Sequence, residues 1–278
     1  MVNVHKPLLI FLNETKKRIV EIEWLHAKWK IENCFTVDCI GRSGGLTLLW
    51  MDEVEIEMKS FSKYHIDVEV GEMGATNEWH FTSFYGEPET NKRHQSWDLL
   101  RTLKCQNTLP WFCVGDFNDI LQDDEKLGGF LRPAKQMDMF RDVIIECGFN
   151  EVKISDSKYT WSRGKLPNLI REWLDRGFAS DSWLQLFPWS EEKHLASAGS
   201  DHVPLIFHTS SNQEVIKIDK RPFRFENIWT KEVECKKVIS ESWNGFSICS
   251  CEDLVQAVQR CGNRLANWNK HYFGNLQF

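Results

Sequence analysis

A succession of short β-type segments between residues 34 and 121 constrains the fold of this chain more than any other feature. Segments such as VEIEMKSF (54–61) alternate apolar and polar residues, and glycine-rich turns such as GRSGG (41–45) separate them. WFCVGDFNDIL (111–121) contains an apolar run that stops at Gly115, which is typical of a buried strand. Amphipathic helices are predicted at 15–29, 91–106 and 134–148. The pattern predicts a mixed α/β fold built on sheets.

The predicted secondary structure changes after His208, from mixed strands and helices to helices alone. TSSNQE (209–214) reads as a polar link, and apolar residues at helical spacing then predict two helices, at about 226–243 and 252–273. We therefore predict one domain over residues 1–209 and a mostly helical tail over residues 210–278.

The net charge of the chain limits how it can bind nucleic acid. Its formal net charge is −6, whereas broad electrostatic capture of nucleic acid needs a basic face. Carboxylates gathered around a cation also make a chain acidic, so any DNA contact is expected to be local and partly bridged by a metal. Because neither a signal peptide nor an apolar run of transmembrane length is visible, we expect a soluble, intracellular protein with no membrane partner.

The cysteines and tryptophans each allow two interpretations. The nine cysteines form no CxxC pair, which favours reduced thiols; the alternative is a zinc site made by Cys235, Cys249, Cys251 and Cys261.

The tryptophans in strand-like runs are first expected to fill the core, and a stacking surface for bases is the alternative. These tryptophans are Trp50, Trp79, Trp111 and Trp161.

Three segments place acidic or polar residues next to an apolar run. They are IFLNETK with Glu14, FCVGDFND with Asp116 and Asn118, and GSDHVPLIF with Asp201 and His202. Strand ends that gather at one rim of a sheet often bind ligands. Each segment also has a purely structural explanation, as a helix-start charge, a turn or a helix cap. The three together predict a functional site more specifically than any one of them alone.

These residue types suit the hydrolysis of a phosphodiester. The reaction needs a cation, a base for the attacking water, and donors that hold the phosphate. Mg²⁺ prefers oxygen ligands and keeps several waters, so one or two carboxylates suffice. We assign Glu14 and Asp201 to the metal, Asp116 to the base, Asn118 and His202 to the phosphate, and Asp175 to the second ring nitrogen of His202.

In order along the chain, ETK, FYG, GDFN, LDR and SDH resemble the motifs of the endonuclease/exonuclease/phosphatase superfamily, the DNase I-like proteins. Longer stretches, among them GRSGGLTLLW and PWFCVGDFNDIL, resemble the endonuclease domain of plant LINE-type (non-LTR) retrotransposon polyproteins. RPFRFENIW and LANWNKHYFGN resemble the connector that precedes reverse transcriptase in those polyproteins. The resemblance covers nearly the whole chain.

The resemblance implies a four-layered α/β sandwich, with two mainly antiparallel sheets between outer helices. It implies a Mg²⁺-dependent enzyme, with Mn²⁺ as a substitute and no small-molecule cofactor, that nicks DNA in the nucleus. Tyr85, in FYG, would contact the scissile phosphate. Glu14 would be the principal metal ligand, with Asp201 assisting. Trp161, in YTWS, is expected to pack beneath the site.

The chain also departs from the family pattern. Members open with a strand that ends in an Asn, whereas only 13 residues precede Glu14 here and none forms that motif. Trp173 stands where relatives commonly have a basic residue before LDR. We therefore expect the first core strand to be missing, and a truncated, weak or inactive relative is the alternative to an active endonuclease. A phosphatase on the same fold and a purely binding role are further alternatives.

Overall fold

A six-stranded sheet lies at the centre of the computed structural model. Its strands, in their order across the sheet, are β4 (Ile56–Ser62), β5 (His65–Val70), β6 (Trp79–Tyr85), β7 (Trp111–Asp116), β12 (Asp175–Ser180) and β9 (Phe149–Glu151). All neighbouring strands run antiparallel except β6 and β7, which are parallel. The structure describes residues 2–39, 41, 44–71, 74, 77–154, 159–195, 199–210, 232–244 and 251–272. The strands are β1 Leu9–Leu12, β2 Asn33–Val37, β3 Leu46–Trp50, β4 Ile56–Ser62, β5 His65–Val70, β6 Trp79–Tyr85, β7 Trp111–Asp116, β8 Lys126–Leu127, β9 Phe149–Glu151, β10 Trp161–Arg163, β11 Ile170–Glu172, β12 Asp175–Ser180, β13 Glu191–His194 and β14 Leu205–His208.

The two faces of this sheet contribute to two different hydrophobic cores, because successive side chains of a strand point to opposite faces. On one face, Phe84 and Trp111 pack with apolar residues of α3 and α4. On the other face, Phe81 and Phe112 pack with residues of β3 and α5. The helices are α1 Val2–His5, α2 Ile19–Trp29, α3 His94–Gln106, α4 Ala134–Glu146, α5 Asp181–Leu186, α6 Val233–Trp243 and α7 Cys251–Tyr272.

Smaller sheets complete the first part of the chain. A three-stranded sheet of order β1-β3-β2 and a two-stranded sheet of β13 and β14 both cover the face of the central sheet that carries Phe112. Leu9 of β1 and Phe207 of β14 pack into the same core. The predicted α/β sandwich of sheets between helices is confirmed, and the layer that covers the broad sheet consists of two separate narrow sheets. Helix α2 contacts β2, and a third small sheet has the order β10-β11-β8.

The predicted helices form with changed boundaries: α3 begins at His94 rather than at residue 91, and the first part of the helix expected over 226–243 lies outside the described residues. The helix expected over 15–29 begins at Ile19, because the residues before it pair with the glycine turn instead: the Thr15 and Lys16 amides donate to the carbonyls of Gly45 and Gly44. Glu14 therefore lies between the end of β1 at Leu12 and this pairing, beyond a strand rather than on a helix.

The chain divides into two compact units, Met1–Gln213 and Glu214–Phe278. In the second unit, α6 and α7 pack against each other through Cys235, Cys261 and Leu265. The predicted segment RPFRFENIW and Cys249 lie outside the described residues. Among the helices that the structure describes, none is long and apolar enough to cross a membrane.

Candidate active site

Three polar side chains lie next to one another at one end of the central sheet. Tyr85 at the end of β6 is paired in register with Asp116 at the end of β7. Asp116 is paired in turn with Asp175 at the start of β12. Partners in register point to the same face of a sheet, so the three side chains form a row. The row lies on the face that the two narrow sheets cover.

Two glycines allow the strand ends that carry this row to approach closely. A Cβ on Gly115 would lie 1.8 Å from the carbonyl oxygen of Phe84, and one on Gly86 would lie 2.1 Å from that of Phe117. The amide of Gly86 donates to the carbonyl of Asp116 at 2.7 Å. The FYG and GDF motifs therefore contain glycine because their backbones are in contact.

His202 reaches the row from the facing layer, in the segment that leads into β14. Its Nδ1 lies 2.8 Å from Asp175 Oδ2, and its Nε2 lies 3.9 Å from Asp116 Oδ2. Burial lowers the pKa of His202, but the hydrogen bond and charge of Asp175, with the charges of Asp116 and Asp201, raise it to about 9. The ring is therefore an imidazolium near neutral pH, and Asp175 holds its orientation.

Asn118 lies beside Asp116 in a strained turn. Its φ of 54° falls in the left-handed region, which Asn tolerates better than most residues. Its amide donates to Asp116 Oδ1 at 2.9 Å, and its side chain donates to the carbonyl of Gly86 at 2.8 Å. Arg132 donates to the carbonyl of Asn118 at 3.3 Å and also pairs with Glu172. These contacts hold the GDFN loop in one conformation at the edge of the row.

Glu14 enters from β1, on the same side of the sheet. Tyr85 donates a hydrogen bond to its carboxylate, and Lys16 lies 3.8 Å from the second carboxylate oxygen. The backbone of Glu14 has a φ of 46°, which for a non-glycine residue costs of order 1–3 kcal/mol. This conformation ends the extended backbone of the strand, and the carboxylate points toward Tyr85 of the row.

The carboxylates repel one another in this arrangement. Burial, the charge of Asp175 and that of Glu14 raise the pKa of Asp116 to about 8, although His202 and the Asn118 amide oppose the rise. Burial and the bond to Glu14 raise the pKa of Tyr85, so its hydroxyl remains a proton donor. A cation placed among these oxygens would relieve the repulsion.

The donor set fits a hard divalent cation. Within the described part of the chain, Asp116, Asp175 and His202 are the group of three possible ligands whose atoms all lie within 4.8 Å of one another. His202 is a poor ligand here, because Asp175 holds one ring nitrogen and the raised pKa keeps the other protonated. The carboxylates of Glu14 and Asp116 remain, and Mg²⁺ favours oxygen ligands of this kind.

Asp201 lies at the rim of the site. It is exposed, and Trp161 Nε1 donates to its Oδ2 at 3.0 Å. Its charge helps to raise the pKa of His202, but it is not part of the cluster with Asp116 and Asp175. Trp161 also packs against Ile120 and the residues around it, so it both fills space and holds a carboxylate.

The sequence patterns did not single out Thr160, which positions two parts of the site. Its buried hydroxyl accepts from the amides of Leu174 and Asp175 at 3.0 and 2.9 Å. Its carbonyl accepts from the amide of Val203, directly after His202, at 2.7 Å. One threonine thereby ties Asp175 to its histidine partner. Its only signal in the sequence is its place in a short β-type segment, where threonine is common.

Comparison with solved structures identifies the fold. The chain has the DNase I-like fold of the endonuclease/exonuclease/phosphatase proteins. It is similar to the endonuclease domain of TRAS1, a telomere-specific non-LTR retrotransposon, with a TM-score of 0.55 and 12% identity, covering 73% of this chain and 98% of that one. It is also similar to an AP endonuclease from Archaeoglobus fulgidus, with a TM-score of 0.57 and 16% identity over 75% of this chain and 91% of that one.

A third similar structure is the 3′ phosphatase NExo from Neisseria bound to a product DNA hairpin, with a TM-score of 0.57 and 12% identity over 75% of this chain and 91% of that one. No protein-family model matches the sequence, and no curated protein matches it. At 12–16% identity, the likeness to these three structures is one of fold.

Proposed function

We propose that this chain is a divalent-metal-dependent DNA endonuclease, which nicks one strand by the attack of water on a phosphodiester. The observation that supports it is the convergence of Tyr85, Asp116 and Asp175 in one row with Glu14 and His202 against it. The buried carboxylates of the row and the protonated imidazole of His202 beside it are elements of phosphodiester hydrolysis.

Each residue of the row has a role that its contacts favour. Asp116 is the base that orients and deprotonates the water. Burial and the charges of Asp175 and Glu14 raise the pKa of Asp116 in the metal-free chain, and a bound cation would lower it again and leave the carboxylate free to accept a proton. His202, positioned by Asp175, donates from Nε2 to a phosphate oxygen. Asn118 and Tyr85 offer further donors beside it.

Glu14 would be the principal ligand of the cation, with Asp116 and Asp201 assisting. The cation would supply positive charge to the non-bridging and leaving oxygens of the phosphate. The chain's own part is to orient the carboxylates: Tyr85 holds Glu14, and the Asn118 amide holds Asp116. Mg²⁺ is the proposed ion and Mn²⁺ a substitute for it.

The origin of the chain is the second part of the proposal. The motifs shared with plant LINE-type endonuclease domains and the similarity to the TRAS1 domain support a retrotransposon-derived protein. Residues 1–209 would then be the endonuclease and residues 210–278 the connector. The similar structure of NExo is bound to a DNA hairpin, which supports DNA as the partner. With chromosomal DNA as the substrate, the proposed location of the activity is the nucleus.

Plasmid nicking tests the proposal. Purified protein with Mg²⁺ is expected to convert supercoiled plasmid to the open circle, and EDTA is expected to abolish the conversion. Asp116→Asn keeps the shape of the side chain but removes the base, so it should abolish nicking too. Asp138→Asn is the matched control, because Asp138 is an exposed carboxylate on α4.

Two results would contradict the proposal. Nicking by the unmodified chain that does not exceed the Asp116→Asn background would favour the alternative of a weak or inactive relative. Release of phosphate from soluble monoesters with the plasmid left intact would favour a phosphatase on the same fold.

A further inference from the structure

Asp119, the second aspartate of the FCVGDFND segment, has no part in the proposed chemistry although it is only 1% exposed. Its side chain bonds to residues of α3 and α4, which pack on the face of the central sheet opposite the row. It therefore touches neither the reacting groups nor the cation. A buried carboxylate that has lost its water needs partners in the protein, so its contacts indicate what it does.

Three donors and a second arginine surround this carboxylate. Arg93, the residue before α3, donates from Nη1 to Oδ1 at 2.7 Å, and Trp97 donates from Nε1 to Oδ2 at 3.1 Å. The side chain of Gln136 also donates to Oδ1, and Nη1 of Arg132 lies 3.9 Å from the same oxygen. Arg93 is itself only 4% exposed, so the pair at the centre is a buried ion pair. These contacts join the first turns of α3 and α4 to the loop after β7.

The ion pair fixes one side of the turn at Asn118. The backbone there has a φ of 54°, and such a conformation persists only where the surrounding contacts determine it. The Asn118 amide donates to Asp116 Oδ1 at 2.9 Å. Its carbonyl accepts from Arg132 at 3.3 Å, and the next side chain along is held by Arg93. Arg132 is held in its turn by Glu172 at 2.5 Å. The turn therefore depends on buried charges on the helix side of the sheet.

We propose that Asp119 is a positioning residue, and that its pairing with Arg93 keeps Asn118 in the turn from which the Asn118 amide orients Asp116. Without the pair the turn would relax, and the Asp116 carboxylate would lose the donor that fixes it. A displacement of about 1 Å near the reacting groups can cost about 100-fold in rate. For the rate, the proposal rests on the proposed function, whereas the conformation of the turn is measured without any activity.

Hydrogen exchange of the Asn118 amide, followed by NMR in the metal-free full chain, measures the turn directly. Asn118→Ser identifies the signal in protein labelled at asparagine and valine. Asp119→Asn keeps the shape of the side chain but removes its charge. The Asn118 amide of this variant should exchange at least about tenfold faster relative to the Val114 amide of β7, because the turn opens locally while the strand stays paired.

The matched control is another buried carboxylate of the same sheet, Asp67 on β5. It is 4% exposed, accepts from Thr82 Oγ1 at 2.5 Å and pairs with His80. His80 lies five residues before Tyr85 on β6, which is about 16 Å at a rise of about 3.3 Å per residue. Asp67→Asn should therefore lower the midpoint of urea denaturation and leave the relative exchange rate of the Asn118 amide unchanged.

Steady-state nicking with Mg²⁺ separates positioning from contact with the substrate. Asp119→Asn should lower kcat about 10-fold to 100-fold and change KM for the plasmid by less than about twofold, since Asp119 touches no part of the substrate. Asp67→Asn should leave both values within about twofold at temperatures below its thermal midpoint.

A pair of double variants keeps the test independent of folding. Asp119→Asn leaves the buried charge of Arg93 without a partner, and breaking a buried ion pair from one side is strongly destabilising. Arg93→Gln with Asp119→Asn removes both charges but keeps an oxygen for the donors of Trp97 and Gln136. It should fold, with slow Asn118 exchange and a kcat about tenfold above that of Arg93→Gln with Asp119→Ala. The second double variant is equally uncharged but has no side-chain oxygen at this position.

The outcomes separate this proposal from the proposed function. If the unmodified chain does not nick but Asp119→Asn alone speeds the Asn118 exchange, the enzyme assignment fails and the positioning of the turn stands. If the unmodified chain nicks and Asp119→Asn has an unchanged kcat or an unchanged exchange, the positioning proposal fails alone. Equal changes in Asp67→Asn, or equal exchange and kcat in the two double variants, would show a general loss of stability and would also overturn it. A change confined to KM would overturn it as well, because Asp119 would then act on substrate binding.

Discussion

Asp175→Asn is expected to lower the pKa of His202 more than any other single neutralisation in the site. The bond from Nδ1 to Asp175 Oδ2 measures 2.8 Å, and Asp175 is the largest contributor that raises the pKa of His202 to about 9. An opposite charge at this distance shifts a pKa by about 1–3 units, so the variant should titrate between about 6 and 8. With a pKa of about 7, the imidazolium fraction at about pH 8 falls roughly tenfold.

The assay is an NMR pH titration of the ring protons in metal-free protein. His202→Gln identifies the signal among the nine histidines. Asp201→Asn is the matched control: Asp201 acts on His202 through charge alone and is exposed, so its removal should shift the pKa by less than about one unit. A His202 pKa that stays near 9 in Asp175→Asn, or that moves equally in both variants, would refute the assignment of Asp175 as the positioning partner.

Three further variants have expected outcomes. Thr160→Val leaves two buried amides without an acceptor and should lower the free energy of unfolding by about 2 kcal/mol or more, whereas Thr160→Ser should lower it by much less; urea denaturation measures both. Gly115→Ala forces a Cβ to within 1.8 Å of a backbone oxygen and should cost about 3 kcal/mol or more, while Gly148→Ala, with open space at a φ of 67°, should cost only about 1 kcal/mol. Equal losses for the two alanines would contradict the close approach. Tyr85→Phe should slow nicking about tenfold at saturating Mg²⁺ with a nearly unchanged thermal midpoint, because it frees the carboxylate of Glu14; an unchanged rate would remove Tyr85 from the site.

Asp116 and His202 could be predicted from local sequence because each lies next to an apolar run. Asp116 ends a continuous buried strand, and the glycine before it lies where two backbones approach closely. His202 precedes the apolar run of β14. Tyr85 is implied only by the resemblance to the DNase I-like motifs, and Asp175 is assigned as the partner of His202, because neither has a local signal of this kind.

The supporting contacts could not be predicted, because they depend on which strands become neighbours. Thr160 lies 15 residues from Asp175 and accepts two amides only because β10 passes beside the start of β12. Arg132 is one of many arginines, and its contact with Asn118 spans 14 residues of loop and strand. The division of the covering layer into two narrow sheets is likewise a property of pairing, which periodicity alone does not encode.

The distribution of charge along the chain shows a different limit. The whole-chain net charge of −6 argues against broad capture of nucleic acid, yet 22 residues in two separate segments carry a net charge of +4. The sum over a sequence hides such a patch, because the segments 126–133 and 159–172 become one surface only when β8 pairs with β11. The expectation that DNA contact is local remains a prediction.

Metal binding by variants of Glu14 tests the central claim most directly. Mn²⁺ titrated into metal-free protein and followed by electron paramagnetic resonance should show a site that Mg²⁺ displaces. Removing the ligand with Glu14→Gln should weaken that site by about 10-fold to 100-fold or more, and Asp138→Asn should leave it unchanged. Equal Mn²⁺ affinity in the unmodified chain and in Glu14→Gln would contradict the claim that these side chains meet around a divalent ion.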